Sequence, residues 1–279
     1  MGNCFGQTKA CFGLKQSTKP KGREVTSKDL ISFKYSPISE FYDIDPTPIG
    51  TSSLSQVKKA IHKPTKQARA VKIISKKKID EEKLRKEVQI IKNLDHPNIL
   101  KIYDVFYDTE NFYIVSELCT GRELFEHISN QGNINEALAA KVMKGLISAV
   151  ASIQRSNMAH RNIKPESLRF DKDASDAIIK ITNFTNAELI SDYEPFKDLL
   201  GTPEYLAPEM IDGLYNNSVD VWACGVTLYI ILCGKAPFTG KSRQETFDAI
   251  KNKPLDFSDS VWGQISSECK DLISMMLTP

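Results

Sequence analysis

One stretch of the sequence gathers side chains suited to hydrogen bonding and to holding charge. Residues 158–170 include Asn162, Lys164 and Ser167, and Asn183 follows further along the chain. The amide of Asn162 can hydrogen-bond a hydroxyl group, but it has no carboxylate with a useful pKa and so cannot act as a general base. Ser167 and Asn183 offer uncharged oxygens, whereas Mg²⁺ prefers charged carboxylates. These residue types favour binding over proton transfer.

The same stretch resembles the catalytic loop of eukaryotic protein kinases, whose pattern is His-Arg-Asp-x-Lys-x-x-x-Asn, followed later by Asp-Phe-Gly. The resemblance implies that Asn162 stands at the place of the catalytic base and that Ser167 and Asn183 stand at the two metal positions. Lys164, which stabilises the transferred phosphate in that family, is retained. Loss of a general base alone costs about 10²–10⁴-fold in rate. The sequence therefore predicts a kinase relative that is catalytically inactive or severely impaired.

Other motifs extend the resemblance over residues 41–279. Gly201-Thr-Pro-Glu-Tyr-Leu-Ala-Pro-Glu209 is similar to the end of the activation segment of Ser/Thr kinases, and it is the most specific match. Glu117-Leu-Cys-Thr-Gly-Arg-Glu-Leu-Phe125 looks most like the calcium-dependent kinases of the calcium/calmodulin-dependent branch. The implied fold is α+β and two-lobed. A small β-rich lobe is expected at 41–116, with a helical lobe at 117–279 that ends early for the family.

The resemblance also implies an ATP site, although its phosphate loop is weakened. The family pattern Gly-x-Gly-x-x-Gly-x-Val keeps only its first glycine and its valine here, so backbone approach to the phosphates is hindered. Lys72 and Glu87 fall where the family pairs a phosphate-binding lysine with a helix glutamate, and we predict that they pair. The implied nucleotide-binding residues are Gly50, Val57, Ala70, Lys72, Glu87, Ser116, Glu117, Cys119 and Glu123. Because both metal positions are replaced, we expect poor Mg²⁺ binding.

Hydrophobic periodicity predicts the strand at 67–74 and the helices at 80–94 and 135–156, and the other elements are placed around these along the chain. Alternation and β-branched residues predict strands, whereas a helical repeat of apolar residues predicts helices. The predicted strands are 41–49, 56–61, 67–74, 100–107 and 111–116. The predicted helices are 80–94, 135–156 and a segment near 244–251, with a buried helix at 221–233.

Composition excludes several other classes of protein. The 279 residues carry a net charge of only +2, which is too small to indicate a nucleic-acid partner. The six cysteines are scattered without a Cys-x-x-Cys pair, which is typical of reduced cytoplasmic thiols. Asp171–Thr182 lacks the Gly and the Glu that an EF-hand needs at its sixth and twelfth positions. We therefore expect no calcium site in this chain.

The first forty residues read as a basic leader with little structure. Met1-Gly2-Asn3-Cys4 resembles an N-myristoylation start with a nearby cysteine for a second acyl chain, although Gly6 stands where Ser or Thr is usual. Residues 1–23 contain basic residues and no acidic one. Lipid at Gly2 and Cys4 together with this charge would attach the protein to an anionic membrane surface. The alternative is an unmodified basic leader.

Three functions remain open from the sequence. The first is an inactive scaffold or regulator that binds a protein partner or an active kinase and retains an ATP site. The second is a weakly active ATP-dependent Ser/Thr kinase of the calcium-dependent type that uses Lys72 and Lys164. The third is an interaction fragment that binds no nucleotide.

Overall fold

A computed structural model of the chain describes residues 33–131, 134–190 and 194–278. The lipidation predicted at Gly2 and Cys4 lies outside the described residues.

The first part of the described chain is a six-stranded sheet with one helix against it. Its strands have the spatial order β1-β5-β6-β4-β3-β2, and every neighbouring pair is antiparallel except β1 and β5. The strands are β1 Phe33–Lys34, β2 Tyr42–Thr51, β3 Ser55–His62, β4 Ala68–Ser75, β5 Ile102–Tyr107 and β6 Asn111–Glu117. Helix α1 spans Glu81–Lys92, and the Asp80 carboxylate caps it by accepting from two backbone N–H groups of the first turn.

The two faces of this sheet carry separate apolar clusters, because alternate residues of a strand point to opposite sides. Ile114 on β6 packs with Leu84 and Val88 of α1 on one face. Its neighbour Val115 packs with Tyr42 and Phe106 on the other face. The predicted strands are confirmed, and α1 lies within the predicted helix 80–94.

The prediction of little structure up to residue 40 is wrong for the end of that segment. Phe33–Lys34 forms a parallel strand against β5, with Phe33 opposite Val105. The Lys34 ammonium also lies 2.6 Å from the Asp104 carboxylate. The backbone partners of this strand lie far along the chain, so a local pattern in a Ser-, Lys- and Pro-rich stretch does not reveal them.

The rest of the described chain is mainly helical and contains the largest apolar core. Nearly every residue of α5 is buried, and one face of α3 packs against it. The helices are α2 Leu124–Gln131, α3 Glu136–Arg155, α4 Pro208–Asp212, α5 Val219–Cys233, α6 Arg243–Asn252 and α7 Ser267–Met276. Within the described ranges, no helix combines the length and the apolar character needed to cross a membrane.

Four short strands hold the loops of the predicted catalytic region. Strands β8 and β9 form an antiparallel hairpin in which Leu168 lies opposite Ile181. Strands β7 and β10 pair antiparallel as well. The bounds are β7 Met158–Ala159, β8 Leu168–Phe170, β9 Ile179–Ile181 and β10 Glu188–Leu189. These pairings place the loop after β7 beside the segment that follows β9.

Candidate active site

Strand register brings several predicted nucleotide-binding residues onto one face of the sheet. Gly50 of β2 lies opposite Val57 of β3, and Val57 lies opposite Lys72 of β4. Ala70 lies two residues before Lys72 and opposite Ser116 of β6. Directly paired residues, and residues two apart on one strand, share a face of the sheet. The five positions therefore form one surface, as an ATP site requires.

The turn between β2 and β3 is closed by its own serines. The Ser52 hydroxyl accepts from the backbone N–H groups of Leu54 and Ser55, at 3.3 and 3.1 Å. The Ser52 N–H donates to the Ser55 carbonyl at 2.8 Å, and the Leu54 side chain is 52% exposed. A phosphate-binding loop offers such N–H groups to the ligand. Here they are already bonded within the turn.

Lys72 and Glu87 do not form the predicted ion pair. Lys72 is exposed, and no nitrogen–oxygen distance of 4.0 Å or less joins the two groups. Glu87 instead accepts a hydrogen bond from the Thr185 hydroxyl at 3.3 Å. Burial raises the pKa of the Glu87 carboxyl above its usual value, although the charge of Lys72 partly opposes that rise. Thr185, where the family has glycine, provides a hydroxyl that the kinase pattern does not contain.

The end of β6 and the segment that follows it form ion pairs with residues of the β8–β9 hairpin. The Glu117 carboxylate lies 2.8 Å from the ammonium of buried Lys180. Glu123, one of the predicted nucleotide-binding residues, forms an ion pair with Arg169 at 2.7 Å. Burial raises the pKa of the Cys119 thiol to about 11, so it stays protonated at neutral pH. Adenine recognition in this segment would therefore use backbone groups.

The loop after β7 is anchored by a buried carboxylate on α5. Asp220 accepts the backbone N–H groups of His160 and Arg161 at 2.7 and 2.8 Å. These bonds hold Arg161 at φ 61°, a left-handed conformation that is uncommon for a residue other than glycine. His160 is fully buried against the Phe184 ring, and burial lowers its pKa to about 4. It is therefore neutral at pH 7 and positions the loop by packing.

The two predicted catalytic residues of this loop have different surroundings. The Lys164 ammonium donates to the Thr202 hydroxyl at 3.0 Å, so it reaches the segment that docks substrates in the kinase pattern. The backbone N–H of Asn162 donates to His160 Nδ1 at 3.3 Å, whereas its side-chain amide makes no hydrogen bond to any of the described residues. An amide at this place can orient a hydroxyl group but cannot take its proton.

The two predicted metal positions are uncharged and already hydrogen-bonded. The buried Ser167 hydroxyl donates to the Lys164 carbonyl at 2.8 Å and accepts from the Lys164 N–H at 3.2 Å. The side-chain Oδ1 of Asn183 accepts from the Thr185 N–H and hydroxyl at 3.1 and 2.8 Å. Within the described ranges, no three His, Cys, Asp or Glu side chains converge as metal ligands. These residues do not fit Mg²⁺, which prefers carboxylate oxygens.

The acidic partner of Arg161 lies on β10. Its guanidinium, 4% exposed, lies 2.6 Å from Glu188 of β10, whose other oxygen contacts the Lys86 ammonium of α1. Glu194 and Asp198 form no ion pair with it, and Asp192 lies outside the described residues. Burial raises the pKa of Glu188, but the bonds to Lys86 and Arg161 outweigh this and lower it overall.

The comparison with known families settles what this arrangement is. A sequence model described as protein kinase domain matches residues 45–279. The chain belongs to the protein kinase family. The predicted two-lobed α+β fold is thereby confirmed, since the kinase domain joins a sheet-rich lobe to a helical one. Kinase domains in general use ATP and Mg²⁺.

The relatives of this kinase domain confirm the resemblance to calcium-dependent kinases. It is 38% identical over 252 residues to calcium-dependent protein kinase 5 of Plasmodium berghei, covering 90% of this chain and 45% of the relative. It is 40% identical over 243 residues to calcium-dependent protein kinase 3 of Plasmodium yoelii yoelii, covering 86% and 45%. For calcium-dependent protein kinase 7 of Arabidopsis thaliana the identity is 33% over 301 residues, covering 100% and 56%. The chain thus spans about half the length of these relatives.

Three residues of this kinase domain shape the site although no motif pointed to them. Ser52 accepts hydrogen bonds from N–H groups of the phosphate loop, and Thr185 donates to the side chain of Asn183. Glu188 forms the ion pair with Arg161. Ser52 and Thr185 replace glycines of the family pattern. Each adds a hydroxyl group to a loop that otherwise has none at that position, so the sequence did contain a signal for these two contacts. The sequence contains no comparable signal for Glu188, because its partners come from α1 and from the loop after β7.

Proposed function

We propose that this kinase domain is catalytically inactive or severely impaired and works by binding, as a scaffold or regulator of an active kinase or another protein partner. One observation carries the proposal. Ser167 and Asn183, at the two metal positions, are neutral and hydrogen-bonded to neighbouring residues of their own loops. Loss of metal charge removes several kcal/mol of transition-state stabilisation. The missing base at Asn162 lowers the rate further, although the two losses are not additive.

The proposal includes an ATP site that depends little on Mg²⁺. Val57, Ala70 and Ser116 lie on one face of the sheet and would surround the base, and exposed Lys72 would reach the phosphates. The Ser52 turn offers the phosphates few N–H groups, which predicts modest affinity. ATP brings its own negative charge to the site, and Lys72 and Lys164 are two of the side chains that would balance it; the Lys78 ammonium, which donates to the Ser53 carbonyl at 2.8 Å, is a third cation beside the phosphate loop.

Thermal melting of the full chain with ATP, with and without Mg²⁺, tests this part of the proposal. A ligand at about 100 times its Kd adds roughly 2.7 kcal/mol to the stability of the folded state. We expect the same rise in Tm with and without Mg²⁺. Lys72→Met should abolish the rise, whereas Lys58→Met, on the opposite face of the sheet, should preserve it. A Mg²⁺-independent rise that survives Lys72→Met would contradict the proposed site.

A second function, weak Ser/Thr kinase activity, is favoured by the intact frame of the catalytic loop. Asp220 holds the loop backbone, and Lys164 reaches Thr202. A rise in Tm that requires Mg²⁺ would support it. A third function, an interaction fragment without nucleotide binding, is favoured by the absence of contact between Lys72 and Glu87. No rise in Tm under either condition would support that function.

We also propose that the protein is cytoplasmic and reaches membranes through an acylated leader. The support is the Gly2/Cys4 motif and the basic residues that follow it. Expression with a myristoyl transferase should add one myristoyl chain to the intact mass, and Gly2→Ala should prevent this. An unchanged mass of the unsubstituted protein would contradict the proposal.

A further inference from the structure

Two adjoining cavities lie along α3 beside the β8–β9 hairpin. Their volumes are about 390 and 260 Å³, and both are lined by Lys141, Phe170 and Ala177. We call them together the α3 groove. The larger cavity is bounded further by Arg122 and the smaller one by Lys144. None of these residues belongs to the candidate active site described above.

Apolar side chains contribute to the floor of the α3 groove, whereas polar and charged side chains make up about half of the lining of the larger cavity. Leu138 lines the larger cavity and buried Val142 lines the smaller one, with Phe170 and Ala177 common to both. The His127 ring meets the Phe170 ring edge to face, with centroids 6.1 Å apart. Cavities of this size with apolar side chains in their floors accept side chains of a bound ligand.

Two glycines beside the groove are tightly packed against their neighbours. A Cβ atom on Gly121 would lie 2.6 Å from the carbonyl oxygens of Phe170 and Lys172, so only glycine fits there. A Cβ atom on Gly145 would lie 2.6 Å from the Asn98 amide nitrogen. The Lys141 ammonium donates to the Ser175 carbonyl at 2.7 Å and fixes the hairpin loop to α3. A preformed groove lowers the ordering cost of binding.

The rim of the groove is positively charged. Arg122 and Lys144 are exposed, and their side chains have no hydrogen bond or ion pair to any described residue. Lys141 bonds only to a neutral carbonyl, and Lys172 is balanced by Asp176 at 2.6 Å. Asp173 is the acidic residue among those that line the two cavities. Four cationic residues therefore line the two cavities, against the carboxylate of Asp173 in the lining and that of Asp176 beside it, so the rim keeps a net positive charge.

We propose that the α3 groove docks an extended acidic segment of a partner protein, with apolar side chains of that segment entering the two cavities. Because the rim is positively charged, the bound segment should carry negative charge. The groove is concave, so it fits an extended chain better than a flat membrane surface. Complementary charge of this kind raises the association rate and makes binding sensitive to salt. The proposal stands whether or not the active-site cleft transfers phosphate.

The probe for this proposal is a fluorescein-labelled peptide in which Glu-Leu-Asp is repeated, titrated with the full chain and followed by fluorescence anisotropy. A matched peptide carries Gln and Asn in place of Glu and Asp. We expect the acidic peptide to bind at least about tenfold more tightly, a difference equal to about 1.4 kcal/mol. Its Kd should rise with salt. Equal affinity for the two peptides would overturn the proposal.

Double variants that reverse two positive charges test whether the acidic peptide binds at the α3 groove. Arg122→Glu with Lys144→Glu should weaken binding of the acidic peptide about tenfold or more. The control is Lys92→Glu with Lys253→Glu, two exposed lysines that do not line the groove, and its Kd should change less than about twofold. All four side chains are exposed, so the melting temperatures should be unchanged. Equal weakening by both pairs would show non-specific attraction and overturn the proposal.

Hydrogen exchange distinguishes the groove from other surfaces. The acidic peptide should slow exchange at 138–145 and 170–178, which border the two cavities. Protection confined to other segments would overturn the proposal. A membrane surface would be the better assignment if two results came together: the acidic peptide binds no better than its neutral match, and the protein binds phosphatidylserine vesicles unless Arg122 and Lys144 are reversed. That pair of results would also overturn the proposal.

Discussion

At the scale of single residues, the buried charge of Arg161 explains how the segment after β9 is held. A guanidinium that is 4% exposed needs a close counter-charge, because an unpaired buried charge is costly. Glu188 provides it, and Lys86 of α1 balances the second oxygen of Glu188. The Arg161 side chain also donates to the Asn186 carbonyl at 2.8 Å and stacks over the Phe196 ring at 4.5 Å. These contacts attach the segment after β9 to the loop after β7.

Glu188→Gln should lower the free energy of unfolding by about 1–3 kcal/mol at pH 7, because it leaves Arg161 with a neutral partner. The folded-state pKa of Glu188 lies below its ordinary value of 4.5. Its stabilisation is therefore present above that value and is lost as the pH falls through the lower, folded-state pKa. Urea unfolding of both proteins across pH 3–7 measures this, and the difference should shrink at the acidic end.

Glu81→Gln is the matched control for Glu188→Gln. Glu81 forms an exposed ion pair with Arg85 one turn along α1, and such pairs contribute about 0.3–0.5 kcal/mol. An effect of Glu188→Gln no larger than that of this control would show that the contact with Arg161 is unimportant for stability.

At the scale of elements, β1 is in contact with α1 and with the sheet. The Phe33 ring packs edge to face on Phe112 of β6, with centroids 6.3 Å apart. The guanidinium of Arg85, on α1, lies 4.1 Å from the centre of the Phe33 ring. Helix α1 also carries Glu87, so a two-residue strand helps to position the helix that borders the candidate ATP site.

Phe33→Ala should destabilise the domain by about 1–2 kcal/mol, since it removes part of an aromatic contact and a cation–π contact. It should also speed amide hydrogen exchange in α1. Tyr35→Ala is the control, because Tyr35 is 69% exposed and contacts Tyr107 rather than α1. If α1 exchanges at the same rate in Phe33→Ala and the unsubstituted protein, β1 does not position that helix.

The elements that the sequence predicted share a strong local period. Apolar residues recur along α3 at helical spacing, and the predicted span 135–156 differs from Glu136–Arg155 only by its caps. Strand β4 was predicted from alternation in a similar way. Strand β1 was missed because two residues carry no period. Its stability comes from Val105 and Phe112, which lie too far along the chain for a local pattern to include.

At the scale of the whole molecule, the kinase frame is kept while the groups that would do its chemistry are replaced. Asp220 still anchors the loop after β7, although burial raises the pKa of its carboxyl to about 6. The motifs predicted which positions would meet, because a shared fold fixes where each motif lies. They did not predict that Lys72 and Glu87 stay apart. Glu87 instead lies 3.3 Å from the hydroxyl of Thr185, at a position where the family has no side chain.

The central claim is that replacement of the base and metal positions removes phosphoryl transfer. The most direct measurement is incorporation of labelled phosphate from ATP with Mg²⁺ into a mixed Ser/Thr peptide substrate. The unsubstituted chain is compared with Lys72→Met and with the triple variant Asn162→Asp, Ser167→Asn, Asn183→Asp. We predict that the unsubstituted chain does not exceed Lys72→Met and that the triple variant exceeds both. Transfer by the unsubstituted chain that Lys72→Met abolishes would contradict the claim.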